Sequence, residues 1–303
     1  MFVTFLDLLG FSQYVKTDHS AANQLLVNYL EIFSFRKDNF FESQTGLEKN
    51  KIDSFEDFIP FSDSIFLTSN NINKFIPQLS QFLLDSFIYR GRDMRSPTDP
   101  GNPHIIETMD FELKKRKIKP KMVKENCFPV LFRGGISSGE INSASIPALH
   151  KSALIKLPII TGEAVVNAVE LEKNGQKGPR ILISKNTYSE ITSDSIKLLS
   201  KPFDIENINF ELYWPSIIFY RSTAPEIDLK NEFAELFEIS INLWSAYKKF
   251  PKLENHYFNF MKLVFKSGEL AFKNNSWDLA LFYEQVKSSL KTSSVDQNYS
   301  FLL

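Results

Sequence analysis

The sequence predicts an α+β fold: an antiparallel or mixed sheet with helices on one face, in a ferredoxin-like split arrangement, followed by a C-terminal helical extension. Three observations predict it. Apolar segments follow one another in the order β-α-β-β-α-β-α-β, which suits a split sheet better than a doubly wound parallel one. Neither a GxGxxG nor a Walker pattern is present to argue for the parallel alternative. Beyond Ala224 the chain carries helical spacing only. The expected division is a sheet domain over 1–223, with an insertion at 91–129, and a helical extension over 224–303.

The first element is Phe2-Val3-Thr4-Phe5-Leu6-Asp7-Leu8-Leu9, an apolar run with one carboxylate near its end, then Gly10-Phe11-Ser12. An ionised carboxylate in a core strand calls for a cation, a hydrogen-bond nest or a solvated strand end. After it, Ser20 can cap a helix carrying Leu25, Leu26, Tyr29, Leu30 and Phe33. The N–H groups of Leu9, Gly10 and Phe11 and the turn into that helix can hold a polyphosphate, or form an ordinary strand-to-helix connection. His19 reads as a polar loop residue. Phe55 to Ser69 reads as two short strands hinged at Ser62-Asp63, which puts a second carboxylate on a tight hairpin turn. If the strands are neighbours, Asp7 and Asp63 converge, and two carboxylates on rigid backbone suit a hard divalent cation whose other ligands are water and phosphate.

Asn73 to Arg90 is an amphipathic helix with Pro77 in its first turn. Gly91 to Pro129 is rich in Pro, Gly and charge, the pattern of a functional lid, a mobile insertion or partial disorder. Its basic cluster Lys114-Lys115-Arg116-Lys117-Ile118-Lys119 is either a solvated loop or a triphosphate clamp. Pro129 to Glu140 reads as a strand running into Gly134-Gly135, where another backbone can approach closely. Leu154 to Ile160 reads as a strand or edge, Glu163 to Lys173 as a short helix, Gly178 to Ser184 as a strand and Lys185 to Leu199 as a small helix. Phe210 to Tyr213 and Ser216 to Arg221 read as a terminal hairpin or bent strand around Pro215. Three helices follow, over Leu229 to Tyr247, Leu253 to Phe272 and Trp277 to Leu290, an appendix expected to pack on the main domain, a second copy or a partner.

Composition narrows the function. With 35 Lys and Arg against 36 Asp and Glu, the formal net charge is −1, so no global field draws the chain to nucleic acid or an anionic membrane. The single cysteine, Cys127, excludes an internal disulfide and a cysteine-based zinc site and reads as a small apolar filler. No signal peptide is seen before the first strand, and no apolar run approaches the roughly 20 residues that span a bilayer, so a cytoplasmic location is expected.

Four motifs in order resemble the class III nucleotidyl cyclases over roughly residues 1 to 221. Asp7-Leu8-Leu9-Gly10-Phe11-Ser12 is similar to their first metal loop and Ser62-Asp63-Ser64 to the second metal motif. Arg133-Gly134-Gly135-Ile136-Ser137-Ser138-Gly139 is similar to the following glycine strand, and Gly162 to Glu172 to the later helix. The wording LDLLGF, FSDSI, RGGISSGE, ELE and GPRILIS resembles the divergent pyrimidine cyclases of Pycsar anti-phage defence, which make cyclic UMP or cyclic CMP. Where purine cyclases carry a base-reading Lys and Asp, this chain has Ile59 and Ile159, which cannot read an adenine edge by hydrogen bonding. Where the family carries a transition-state Asn and Arg, the ungapped match gives Val166 and Glu170, with Asn167 one residue away.

The resemblance implies a homodimer with composite sites that converts UTP or CTP to its 3′,5′-cyclic monophosphate and pyrophosphate, a messenger for a separate effector. It implies two Mg²⁺ or Mn²⁺ ions per site held by Asp7, the Leu8 carbonyl and Asp63; triphosphate at Leu9, Gly10 and Phe11; and a base pocket at Ile59 and Ile159. Arg133 and Arg180 are phosphate-binding or structural. A purine cyclase, another two-metal phosphoryl-transfer enzyme on a palm-like sheet, and a catalytically inactive nucleotide-binding homologue stay open as alternatives.

Overall fold

The computed structural model describes residues 1–40, 54–95, 104–114, 117–150, 153–173, 177–200, 209–220 and 225–292. The chain opens with strand β1 (Phe2–Leu8), whose alternate side chains go to opposite faces. Gly10, at φ 84°, turns it into the short helix α1 (Phe11–Thr17). Asp18 then interrupts the helix, and its carboxylate accepts the N–H groups of Ser20 and Ala21 to start α2 (His19–Phe40). The expected hairpin follows as β2 (Asp57–Phe61) and β3 (Ser64–Ser69), with Ser62-Asp63 as a two-residue turn. Ser62 has φ 57°, the positive value that such strand-matched turns need at their first position. Asn71 caps α3 (Ile72–Gly91) by accepting the Lys74 N–H at 3.1 Å.

The insertion is largely regular. After a 3-10 turn at Arg92–Arg95 come β4 (Ile105–Lys114) and β5 (Lys117–Asn126), a two-stranded hairpin of its own. Lys115 and Arg116 of the basic cluster lie outside the described residues, and Lys114 pairs with Lys117 at the hairpin end. Next are β6 (Phe132–Ser138) and a second separate hairpin, β7 (Asn142–His150) with β8 (Ala153–Thr161). The chain continues through α4 (Glu163–Glu172), β9 (Ile181–Ile183), α5 (Lys185–Ser189), a 3-10 turn at Ser193–Leu198 and β10 (Phe210–Glu211). Ser216 to Tyr220 does not return as a strand, and Arg221 lies outside the described residues: Trp214–Tyr220 is a largely buried 3-10 segment, consistent with Pro215, which cannot donate to a sheet ladder. Three helices end the described chain, α6 (Glu226–Tyr247), α7 (Pro251–Asn274) and α8 (Leu279–Thr292).

The main sheet is mixed, with strand order β10-β9-β6-β1-β3-β2; β6 and β9 are parallel and every other pair is antiparallel. The expectation of helices on one face is corrected. Val3 and Phe5 pack with Ala164 and Ala168 of α4 on one face, whereas Leu6 and Leu8 join the core formed by α2, α3 and the C-terminal helices on the other. Gly135 explains why α4 comes so close: a Cβ there would sit 2.5 Å from the Leu171 Cβ and closer still to the Ala168 carbonyl oxygen. The C-terminal helices belong to the same apolar core as the sheet. Phe260 of α7 meets Phe87 of α3 at a centroid distance of 4.8 Å and stacks on Trp214, so the core is continuous across Ala224. Among the described residues, no helix is long and apolar enough to cross a membrane.

Candidate functional site

Asp7 and Asp63 come together at one end of the sheet because β1 and β3 are neighbours. Asp7 lies opposite Ser64 in the ladder, and the Leu8 N–H donates to the Asp63 carbonyl at 2.9 Å. Both constraints are main-chain ones, so the spacing of the two carboxylates is set by the sheet and by the tight turn. The Ser64 hydroxyl donates to Asp7 Oδ1 at 3.1 Å. The Tyr29 hydroxyl of α2 donates to the Ser64 carbonyl at 3.1 Å and braces the turn from below.

On the other side of β1, Arg133 of β6 stands opposite Asp7. Its Nε and one terminal nitrogen donate to Asp7 Oδ2 at 3.1 and 3.0 Å. The same guanidinium lies between two carboxylates: its Nε is 2.7 Å from Glu172 Oε1, at the end of α4. That contact is an ion pair without a hydrogen bond, since the Nε–H is directed at Asp7 and the buried Glu172 Oε1 accepts none. Burial raises the Asp7 carboxyl above the ordinary carboxylate range, the Arg133 charge and hydrogen bond oppose this, and the nearby Asp63 charge adds to it. Burial likewise raises Glu172, against the pull of Arg133 and with a further push from Asp7. The cluster therefore holds two carboxylates, Asp7 and Glu172, on one cation, with Asp63 close enough to Asp7 for its charge to be felt.

Asp63 differs from Asp7 in that its carboxylate makes no hydrogen bond or ion pair among the described residues. No group of three or more His, Cys, Asp or Glu with metal-holding geometry occurs among them. A divalent cation here would thus have two protein carboxylates, and the Leu8 carbonyl at the strand end, with the rest of its shell left to water and phosphate. That donor set fits magnesium or manganese bound together with a substrate.

The neighbouring turn is less open than the sequence suggests. The Leu9 N–H is not available to a phosphate, because it donates to the Leu131 carbonyl at 2.8 Å. Gly10 and Phe11 remain as the turn and first residue of α1. Arg180 is structural: its Nε and a terminal nitrogen clamp Glu211 at 2.7 and 2.6 Å, and the two side chains are only 17 % and 8 % exposed. Ile59 is buried on β2 opposite Phe66, while Ile159 lies opposite Ala144 in the separate β7–β8 hairpin, so within one chain the two occupy different sheets. Val166 is exposed on α4, and Asn167 and Glu170 line a polar cavity of about 340 Å³ together with Ser137, Ser184 and Asn186.

Glu172 is the site residue that sequence reasoning missed. Its signal was the spacing of Ala164, Ala168 and Glu172, which share the inward face of α4 at four-residue intervals and are all buried. No family model matches the chain, and no curated protein matches it either.

Proposed function

We propose that the chain is a nucleotide cyclase that converts UTP or CTP to its 3′,5′-cyclic monophosphate and pyrophosphate. The observation that carries the proposal is the meeting of Asp7 and Asp63 at the end of the sheet, one with its charge shared and one with its carboxylate unpartnered, beside the glycine turn into α1. Mg²⁺ or Mn²⁺ held by Asp7, Asp63 and the Leu8 carbonyl would neutralise the triphosphate and acidify the ribose 3′-hydroxyl.

The residues of the chain bind and orient. Arg133 and Ser64 fix both oxygens of Asp7, and the Leu8 to Asp63 main-chain bond fixes the turn. The N–H groups of Gly10 and Phe11 are the anion donors nearest the carboxylates along the chain. In the reaction the ribose 3′-oxygen bonds to the α-phosphorus, its proton goes to solvent, and the bridging oxygen leaves with pyrophosphate. By the resemblance Ile59 and Ile159, which lie in different sheets of one chain, border the base without hydrogen-bonding to a purine edge. The preference for a pyrimidine, the signalling to an effector in anti-phage defence and the composite homodimer rest on the resemblance of the motifs. The two outlying hairpins favour a second copy as partner: among the described residues they join no other strand, and they expose Met109, Met122, Ile146 and Leu157.

Arg133 also favours a second function, a nucleotide-binding homologue without catalysis, because its guanidinium already occupies Asp7 Oδ2. Incubation with each of the four nucleoside triphosphates and Mn²⁺, with products identified by mass spectrometry, separates the two. Cyclic UMP or cyclic CMP is expected to predominate and to vanish in Asp7→Asn and Asp63→Asn, with circular dichroism unchanged. Predominant cyclic AMP or cyclic GMP would refute the pyrimidine assignment, and no cyclic product from any triphosphate would refute catalysis.

A further inference from the structure

A large cavity lies away from the carboxylates. About 770 Å³ in volume, it lies between α1, the start of α2, the base of the β4–β5 hairpin and the α6–α7 junction. That volume is within the roughly 300–1,000 Å³ typical of sites for small organic ligands. Its floor is aromatic and internally hydrogen-bonded. The Tyr14 and Tyr247 hydroxyls are hydrogen-bonded at 2.8 Å, Tyr247 also bonds His104 Nε2, and His104 Nδ1 bonds the Cys127 carbonyl at 3.0 Å. These polar atoms satisfy one another, so the floor offers ring surface: His104 packs on Phe128 with centroids 3.9 Å apart.

The walls differ in character from the floor. Gln13 and Asn126 supply side-chain amides, each with donor and acceptor. At the mouth, Phe250 leaves 47 % of its surface exposed. Lys249 and Lys252 flank it, exposed, and neither makes a hydrogen bond or ion pair among the described residues. The acid on the wall, Asp18, is engaged in capping α2. The mouth is thus net positive, and the interior offers ring faces and amides.

We propose that this cavity binds a nucleoside monophosphate, linear or cyclic, with the base against Phe128 and the His104–Tyr247 floor, its edge met by Gln13 or Asn126, and the phosphate between Lys249 and Lys252. The inference is independent of the cyclase proposal. The cavity also touches the carboxylate site's framework: Tyr14 and Leu253, both lining residues, lie 3.6 and 3.7 Å from where a Cβ would stand on Gly10, in the turn after Asp7. Occupancy is therefore expected to slow amide exchange in the Gly10 turn as well as in the walls.

The test is calorimetric titration of the full chain with AMP, UMP, cyclic UMP, adenosine and naphthalene-2-carboxylate, in EDTA so that no divalent cation bridges Asp7 and Asp63. Binding of at least one monophosphate is expected, with exchange protection over residues 10–21 and 247–254. Lys249→Glu with Lys252→Glu should weaken it at least tenfold while leaving adenosine binding unchanged. Ser20→Trp, an exposed lining position whose backbone contact to Asp18 is kept, should weaken both at least tenfold. Absence of binding by all the monophosphates at 1 mM, on the order of the weakest useful affinity, overturns the proposal. So does binding that neither variant set alters, and equally tight binding of naphthalene-2-carboxylate overturns the nucleotide assignment.

Discussion

Replacing Arg133 by Met removes the one cation that Asp7 and Glu172 share while keeping a side chain of similar length. Removing one partner of a fully buried pair costs about 3–5 kcal/mol because the other charge is left in a poor solvent. Here the Glu172 side chain is 6 % exposed and Asp7 20 %, but Arg133 is 32 % exposed, so water already screens part of the interaction. The expected loss at pH 7 is about 2–3 kcal/mol. Both carboxyls are raised in the folded protein, so the folded state holds protons more tightly than the unfolded one. A raised carboxyl contributes stability that is present at low pH and lost as pH climbs through the folded-state pKa. Without Arg133 both rise further, so the penalty of the substitution should shrink as pH is lowered from 7 toward the ordinary carboxylate range near about 4. Urea unfolding followed by fluorescence of the three tryptophans, at pH 7 and pH 5, measures it. A loss below about 0.5 kcal/mol at pH 7, or the same loss at both pH values, would refute the triad.

Other substitutions probe other parts of the frame. Glu211→Ala should cost about 3–5 kcal/mol by stranding the buried Arg180 guanidinium, measured by the same urea titration. Gly135→Ala should cost at least about 1–3 kcal/mol, because α4 must move off β6 to admit the methyl group, whereas Gly10→Ala should act through its φ of 84° alone. Burial lowers His104 to about 4, so its contribution to stability is present above the unfolded value near 6.5 and is lost as pH falls from there to about 4. His104→Gln should flatten the stability profile in that window, and an unchanged slope would count against the neutral buried imidazole. Tyr247→Phe should cost about 1–3 kcal/mol by leaving His104 Nε2 and the Tyr14 hydroxyl without their shared partner, read as a lowered urea midpoint.

Where local periodicity coincided with burial, the fold was legible. Strand β1, the β2–β3 hairpin, and helices α3, α4, α6, α7 and α8 all carry apolar residues at the spacing their elements require. Strand β7 was missed because Asn142–His150 is small, polar and interrupted by Pro147, and its residues up to Pro147 are exposed or half-buried, so no alternation is written into it. The second face of the sheet was missed for a different reason. Val3 and Phe5 look like any core strand residues, and only the arrangement in space shows that the alanines of α4 cover them.

The site divides along the same line. Asp7 and Asp63 stood out as charges set in apolar strand and hairpin sequence, and β1–β3 pairing brings them together. The partner of Asp7 came from β6, more than a hundred residues away, and Glu172 from a helix that could equally have turned that side chain to solvent. The Leu9 N–H looked open at the head of a helix, but the strand ladder continues one residue past Leu8 and engages it with Leu131.

The direct test of the Asp7–Asp63 site is electron paramagnetic resonance of Mn²⁺ titrated into the wild-type chain and into Asp63→Asn, each with and without UTP. The Asp63 carboxylate makes no hydrogen bond or ion pair among the described residues, so an amide in its place should leave the fold intact while removing half of the anionic donor set. Saturable Mn²⁺ binding to the wild type is expected, tightening with UTP and at least tenfold weaker in the variant. Equal Mn²⁺ affinity in the two proteins with UTP present would contradict it.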